Sequence, residues 1–118
     1  MKVTNARRSE KKPFAGPLFT GPDVTVQDLL PESGEFDVKV VNFGKGVRNR
    51  FRTHDCEQVL VVTSGKGLVA TEGEQRAVTA GDVVLFAAGE KHWHGASEGS
   101  AFSHIHISKK NIGCHIVE

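Results

Sequence analysis

Apolar residues along this chain recur with a period of two in short runs, and no long window carries helical spacing. The runs predict strands over 24–29 (VTVQDL), 36–42 (FDVKVVN), 47–54 (VRNRFRTH), 58–63 (QVLVVT), 67–71 (GLVAT) and 75–79 (QRAVT). Further strands are predicted over 82–86 (DVVLF), 92–97 (HWHGAS), 101–108 (AFSHIHIS) and 112–117 (IGCHIV). The separators SGKG, EGE, AGD, AAGEK and EGS are turn chemistry, in which glycine supplies positive φ. Many short strands at this spacing predict an all-β sandwich or barrel. Residues 1–18, with Pro13, Gly16 and Pro17, read as an extended arm, solvated and in part disordered, ahead of a single domain over 19–118.

Strand parity sorts the side chains into faces, because neighbours along a strand point to opposite sides. Arg52, His54, Gln58, Leu60 and Val62 share one interior, with Cys56 in the turn between them. His92 and His94 share a face, as do Phe102, His104 and His106. The segment 58–63 is apolar on both faces, Leu60 and Val62 on one and Val59 and Val61 on the other. Its outer face is covered either by a second sheet of the same chain or by a second copy, and a homodimer is expected.

Composition narrows the function classes. With 118 residues the chain is one domain by size. Its 15 Lys+Arg against 14 Asp+Glu leave a net charge of +1, which gives no general pull towards nucleic acid or membrane. The basic residues Lys2, Arg7, Arg8, Lys11 and Lys12 cluster in the arm but are interrupted by Glu10, and nucleic-acid binding is not expected of them. The opening residues lack an apolar signal region, and no run reaches the roughly 18 apolar residues of a membrane span. Cys56 and Cys114 are too few for a disulfide framework, so the cytoplasm is the expected compartment.

Five of the six histidines, His54, His92, His94, His104 and His106, are placed by parity to converge. Neutral imidazole is the commonest metal ligand, and three protein ligands with an open position make the usual catalytic site. At this point the chain resembles the cupin superfamily. The first cupin motif has Gly, His, His, Glu and Gly at intervals that Gly46, Arg52, His54, Gln58 and Gly65 keep. The second has Gly, Pro, Gly, His and Asn where Gly81, Ala87, Gly89, His92 and Ala96 stand. A narrower likeness is to small bacterial cupins that include the hydroxynitrile lyases and the cupins associated with carboxymuconolactone decarboxylases. It rests on Phe19-Thr20-Gly21, QVLVVTSG at 58–65, GDVV at 81–84, GEKHWHGA at 89–96 and Ser103-His104-Ile105.

The resemblance implies a double-stranded β-helix, or jelly-roll barrel, acting on a small-molecule substrate. It implies His54, Gln58 and His92 as ligands of manganese, iron, nickel or zinc, and His94 and His104 as acid–base residues. Arg52 and His106 are expected to face the substrate. Lyase chemistry at a hydroxyl or carbonyl carbon, or dioxygen insertion, would follow. Arg52 departs from the pattern, because it replaces the first ligand histidine with a cation that has no lone pair to give. A divalent ion about 5 Å away would meet repulsion of about 6–7 kcal/mol at an effective dielectric near 20. Three outcomes stay open: another histidine completes the site, a weak site of His54, Gln58 and His92 persists, or Arg52 binds a small anionic metabolite in a metal-free, non-catalytic cupin.

The remaining residues have plainer readings. Trp93 faces away from its flanking histidines and packs. Cys56 is a turn cysteine, Asp55 and Glu57 are loop charges with Glu57 a candidate partner for Arg52, and Asp82 bonds locally in its turn. His115 lies on the exterior. GKG at 65–67 precedes no helix, so it is a hairpin rather than a phosphate loop.

Overall fold

The computed structural model describes residues 1–118, and the fold contains no α-helix. Ten strands form it: β1 (Lys12–Pro13), β2 (Val24–Asp28), β3 (Phe36–Phe43), β4 (Arg52–His54), β5 (Gln58–Thr71), β6 (Gln75–Thr79), β7 (Val83–Phe86), β8 (His92–Ala96), β9 (Phe102–Lys109) and β10 (Cys114–Ile116). All pairings are antiparallel, in the order β1-β2-β3-β9-β5-β8-β4-β10, with β6 and β7 also paired to β5. No helix is long and apolar enough to cross a membrane.

The two segments expected over 58–63 and 67–71 are one strand, β5, of 14 residues. SGKG does not reverse the chain. Its first half pairs with β7 and β9 and its second with β6 and β8, so the strand passes from one side of the barrel to the other. Gly65, at φ 76°, and a register shift against β9 between Val62 and Ser64 absorb the bend. A Cβ at Gly65 would collide with the Ala101 carbonyl oxygen, so glycine is required there on both counts. The turn-like composition therefore marks a corner rather than a hairpin.

The expected strand 47–54 is regular only over β4. Its first residues make isolated bridges instead, Arg48 to Gly95 and Asn49 to Phe19. The arm is largely exposed but tethered: β1 pairs with β2, and the Gln27 amide donates to the Ala6 and Ser9 carbonyls at 2.7 and 2.9 Å.

Phe43, Leu60, Val62, Val69, Phe86 and Phe102 centre a buried apolar cluster inside the barrel. The outer wall is apolar too. Val38 pairs with Ile107, Ile107 with Val59 and Val59 with Leu85, while Val40, Ile105, Val61 and Val83 form a parallel row. Val83 and Leu85 are 67% and 60% exposed, so no second sheet of this chain covers that end.

Candidate active site

Strand alternation carries the inward residues to one place. In β4, Arg52 and His54 point inward past Thr53, and both are buried. Across the β4–β8 pairing Arg52 faces His92, and across β4–β10 it faces Ile116, while His54 faces Cys114. His104 and His106 in β9 lie between Val41 and Lys39 of β3 and Val62 and Leu60 of β5. Gln58, His92, His94, His104 and His106 are all buried, so the structure brings together every candidate site residue read from parity. A cavity of about 250 Å³ is lined by Arg52, His54, His94, His104 and His106 together with Cys56, Cys114 and apolar residues such as Phe19 and Phe43, but not by Gln58 or His92.

The hydrogen bonds fix how several rings are turned. The Glu90 carbonyl accepts from His92 Nδ1 at 2.8 Å, which leaves His92 Nε2 as a lone pair. Gln58 Nε2 donates to His106 Nδ1 at 2.7 Å, and the opposite ring nitrogen, His106 Nε2, donates to Ser108 Oγ at 2.8 Å, with Asp37 Oδ2 at 3.5 Å. That orientation turns Gln58 Oε1 to His92 Nε2, 3.0 Å away. The Gln58 amide thus spans the two rings, with the His54 ring centred 5.3 Å from that of His92.

Asn49 sets a second ring. Its Oδ1 accepts from the His94 backbone N–H at 2.9 Å, so its Nδ2 donates to His94 Nε2 at 3.2 Å. The proton of neutral His94 then sits on Nδ1, which has no partner. His104 has a partner on neither ring nitrogen.

Burial governs the ionisation of these groups, since it disfavours the charged form. It is the first cause for His54, pushed down to about 3 with the Arg52 charge adding to it, and for His104, also down to about 3. His92 falls to about 4, His94 lies well below its ordinary range, and His106 is lowered although Asp37 opposes the shift. The hydrogen bond from His106 in turn holds Asp37 down at about 2. The site is therefore a set of neutral imidazoles at pH 7.

Arg52 is the exception. Burial brings its guanidinium down to about 10, which leaves it charged. The arginine ion pairs of the protein are Arg48–Glu118 and Arg76–Glu74; Arg52 has none, and Glu57 does not pair with it. Its Nε is buried without a hydrogen bond, and the nearby Cys114 thiol is the group that favours its charge.

Elsewhere, His115 is exposed and pairs with Asp55 at 3.2 Å. Trp93 lies under Arg48, whose guanidinium is 4.3 Å from the ring centre. Asp82 accepts from the Thr79 N–H at 2.8 Å. Cys56 lies in the bend between β4 and β5, as expected, and there it also lines the cavity. Sequence reading missed Asn49, Asp37, Lys39 and Cys114. The parity of Lys39 with Val41 and Phe43 pointed it inward, whereas Asn49 gave no local signal because its role comes from pairing with β8.

The barrel order, the corner at Gly65 and the histidine-lined interior agree with a match of the Cupin domain family to residues 39–107. The chain is a cupin. It is 42% identical over 98 residues to an (R)-mandelonitrile lyase of Granulicella tundricola, covering 82% of this chain and 68% of that protein. A cupin-like protein of Thermotoga maritima superposes with a TM-score of 0.84 at 30% identity, over 92% of this chain and 86% of the other. The polyketide cyclase RemF of Streptomyces resistomycificus superposes at 0.88 with 14% identity, over 100% of this cupin and 86% of its own chain, a likeness of fold alone.

Proposed function

We propose that this cupin is a small-molecule lyase that moves a proton at a hydroxyl-bearing carbon inside the histidine-lined cavity. The observation that carries the reading is His104, buried on the cavity wall as a neutral imidazole with neither ring nitrogen engaged. A neutral imidazole offers one acceptor and one donor, as a general base requires. The 42% identity to a mandelonitrile lyase supplies the first substrate to try.

In that chemistry His104 takes the proton of the substrate hydroxyl as the carbonyl forms. The bond from that carbon to its leaving group breaks, and the electron pair goes to the leaving carbanion, cyanide in the case of mandelonitrile. The imidazolium then returns its proton to that carbanion. His94, with Nε2 occupied by Asn49, offers Nδ1–H to the substrate oxygen.

His54, Gln58 and His92 are the residues that would hold a divalent ion. The fit is partial: His92 Nε2 is a lone pair 3.0 Å from the Gln58 amide, while no group of three His, Cys, Asp or Glu side chains is placed to hold a metal ion. His92 also donates its other ring nitrogen to a backbone carbonyl, the usual support of a ligating imidazole. Arg52, its cross-strand neighbour, opposes that fit by its charge. When bound, a divalent ion would polarise a substrate oxygen as a Lewis acid.

The apolar outer rows of β9, β5 and β7 are the interface of a homodimer. The unpaired thiols of Cys56 and Cys114 are in keeping with a reducing cytoplasm. No nucleic acid or membrane partner is invoked.

The test is an assay of mandelonitrile cleavage, read as benzaldehyde release, on untagged protein with its metal content measured. His104→Ala, and His104→Gln as the variant that keeps more of the buried volume, are expected to lower kcat by about 10²–10⁴-fold. His92→Ala is expected to empty any metal that co-purifies. Full kcat in His104→Ala would sink the proton-transfer role.

A further inference from the structure

Arg52 carries a fixed charge that nothing in the protein balances. Its side chain lines the cavity, the residue is 8% exposed, no carboxylate pairs with it, and its Nε is buried without a hydrogen bond. Buried charges are ordinarily paired, since an unpaired one loses its hydration without compensation. The other charged side chains on the cavity do not change the sum. Lys39 is bonded to Asp37 at 3.1 Å, and Lys109 stands on the solvent-exposed rim. The nearby Cys114 offers a thiol, which is a weak acceptor. One uncompensated positive charge therefore remains deep in a space of about 250 Å³.

We propose that the cavity takes a small monocarboxylate, its carboxylate gripped by Arg52 and its hydroxyl or carbonyl oxygen set against His104 and His94. The guanidinium fork matches the geometry of a carboxylate and forms charge-assisted bonds that are roughly twice as strong as neutral ones. The free nitrogens of His54, His94 and His104 supply polar partners for the remainder of the ligand. The space lies below the 300–1,000 Å³ of pockets for drug-sized ligands, so the acid is small. An anion there also answers the repulsion between Arg52 and a cation at Gln58 and His92. The inference deepens the proposed function by naming the substrate class of the same cavity, as a small 2-hydroxy or 2-oxo acid, and rests on that reading only for the roles of His94 and His104.

Calorimetric titration of the full-length protein with lactate, pyruvate, lactamide and inorganic phosphate, each with and without EDTA, tests it. Lactate and pyruvate are expected to bind at least tenfold more tightly than lactamide, with EDTA leaving their affinity within threefold. Arg52→Met is expected to weaken both acids at least tenfold, and Arg52→Lys less. Arg52→Met on its own is expected to keep or raise the melting temperature, because it removes an unpaired buried charge. A large fall in that temperature would mean the charge is paired internally and would overturn the proposal. So would lactamide binding as well as lactate, phosphate binding more tightly than either acid, loss of binding in EDTA, or unchanged affinity in Arg52→Met. Binding without turnover of any hydroxy acid or cyanohydrin would refute the lyase reading and leave the anion site standing. Turnover of mandelonitrile without carboxylate binding would do the reverse.

Discussion

The two faces of the sheet β3-β9-β5-β7 differ in kind: the inner one mixes polar groups with the core, and the outer one is apolar. The inner face carries Lys39, Gln58, His104 and His106, and the outer face carries Val38, Val40, Val59, Val61, Ile105, Ile107, Val83 and Leu85. A sheet with one wet face ordinarily puts its apolar residues inward. Here the inward polar groups are affordable because most are hydrogen-bonded and the imidazoles are held neutral, while the apolar floor of Phe43, Leu60, Val62 and Phe102 supplies the core. On the proposed reading, the polarity inside serves chemistry and the apolar outer rows are the face of a homodimer. The difference shows where stability and function part company along one strand: Gln58 and Leu60 share a face, yet Leu60 belongs to the floor and Gln58 to the site.

The floor is where the inner face is easiest to break. Phe102 is completely buried and its ring closes on Gly67. Phe102→Ala is expected to cost about 3–5 kcal/mol, read by urea denaturation. A loss under about 1 kcal/mol would mean that the floor is not the core.

Acid probes the polar part of the same face. His104 titrates near 3 when folded, against about 6.5 in the unfolded chain. The unfolded chain therefore takes up the proton first, so stability present above about pH 6.5 is lost progressively as pH falls towards 3. This one imidazole contributes a loss of about 2 kcal/mol between pH 7 and pH 5. His94 faces it with ring centres 4.8 Å apart, and the charges of Arg52 and Lys39 act in the same direction. Urea midpoints at pH 7, 6 and 5 check the sign, and a flat profile would mean that the imidazoles are solvated.

The outer face should respond least in stability and most in assembly. Val83→Asp with Leu85→Asp alters two exposed side chains, so the protomer is expected to change by about 0.5 kcal/mol or less. Light scattering is expected to show the mass fall from two chains to one. A wild-type mass of one chain would remove the homodimer.

Much of this arrangement was legible beforehand because alternation is local. Arg52, His54, Gln58, Leu60 and Val62 fall on one buried face as their parity requires, and His92, His94, His104 and His106 follow the same rule. The corner in β5 was not legible, since a glycine at φ 76° serves a reversal and a bend equally well. The anchor of the arm was not legible either: Gln27 bonds to Ala6 and Ser9 from a strand that composition does not connect to them. Asn49 escaped notice because its side chain acquires meaning only against His94.

The sequence by itself determined the all-β character, the cupin spacing and the set of side chains that share the interior, because each follows from period-two alternation and from intervals along one chain. Only the tertiary structure decided that Gln58 is held between His92 and His106, that Asn49 sets the tautomer of His94, and that Arg52 has no counter-ion. Those facts depend on strand order and register, which join residues far apart in sequence. The guanidinium of Arg52, for which Glu57 was only a candidate partner, lies buried and unpaired, and that unbalanced charge is the most informative property of the site.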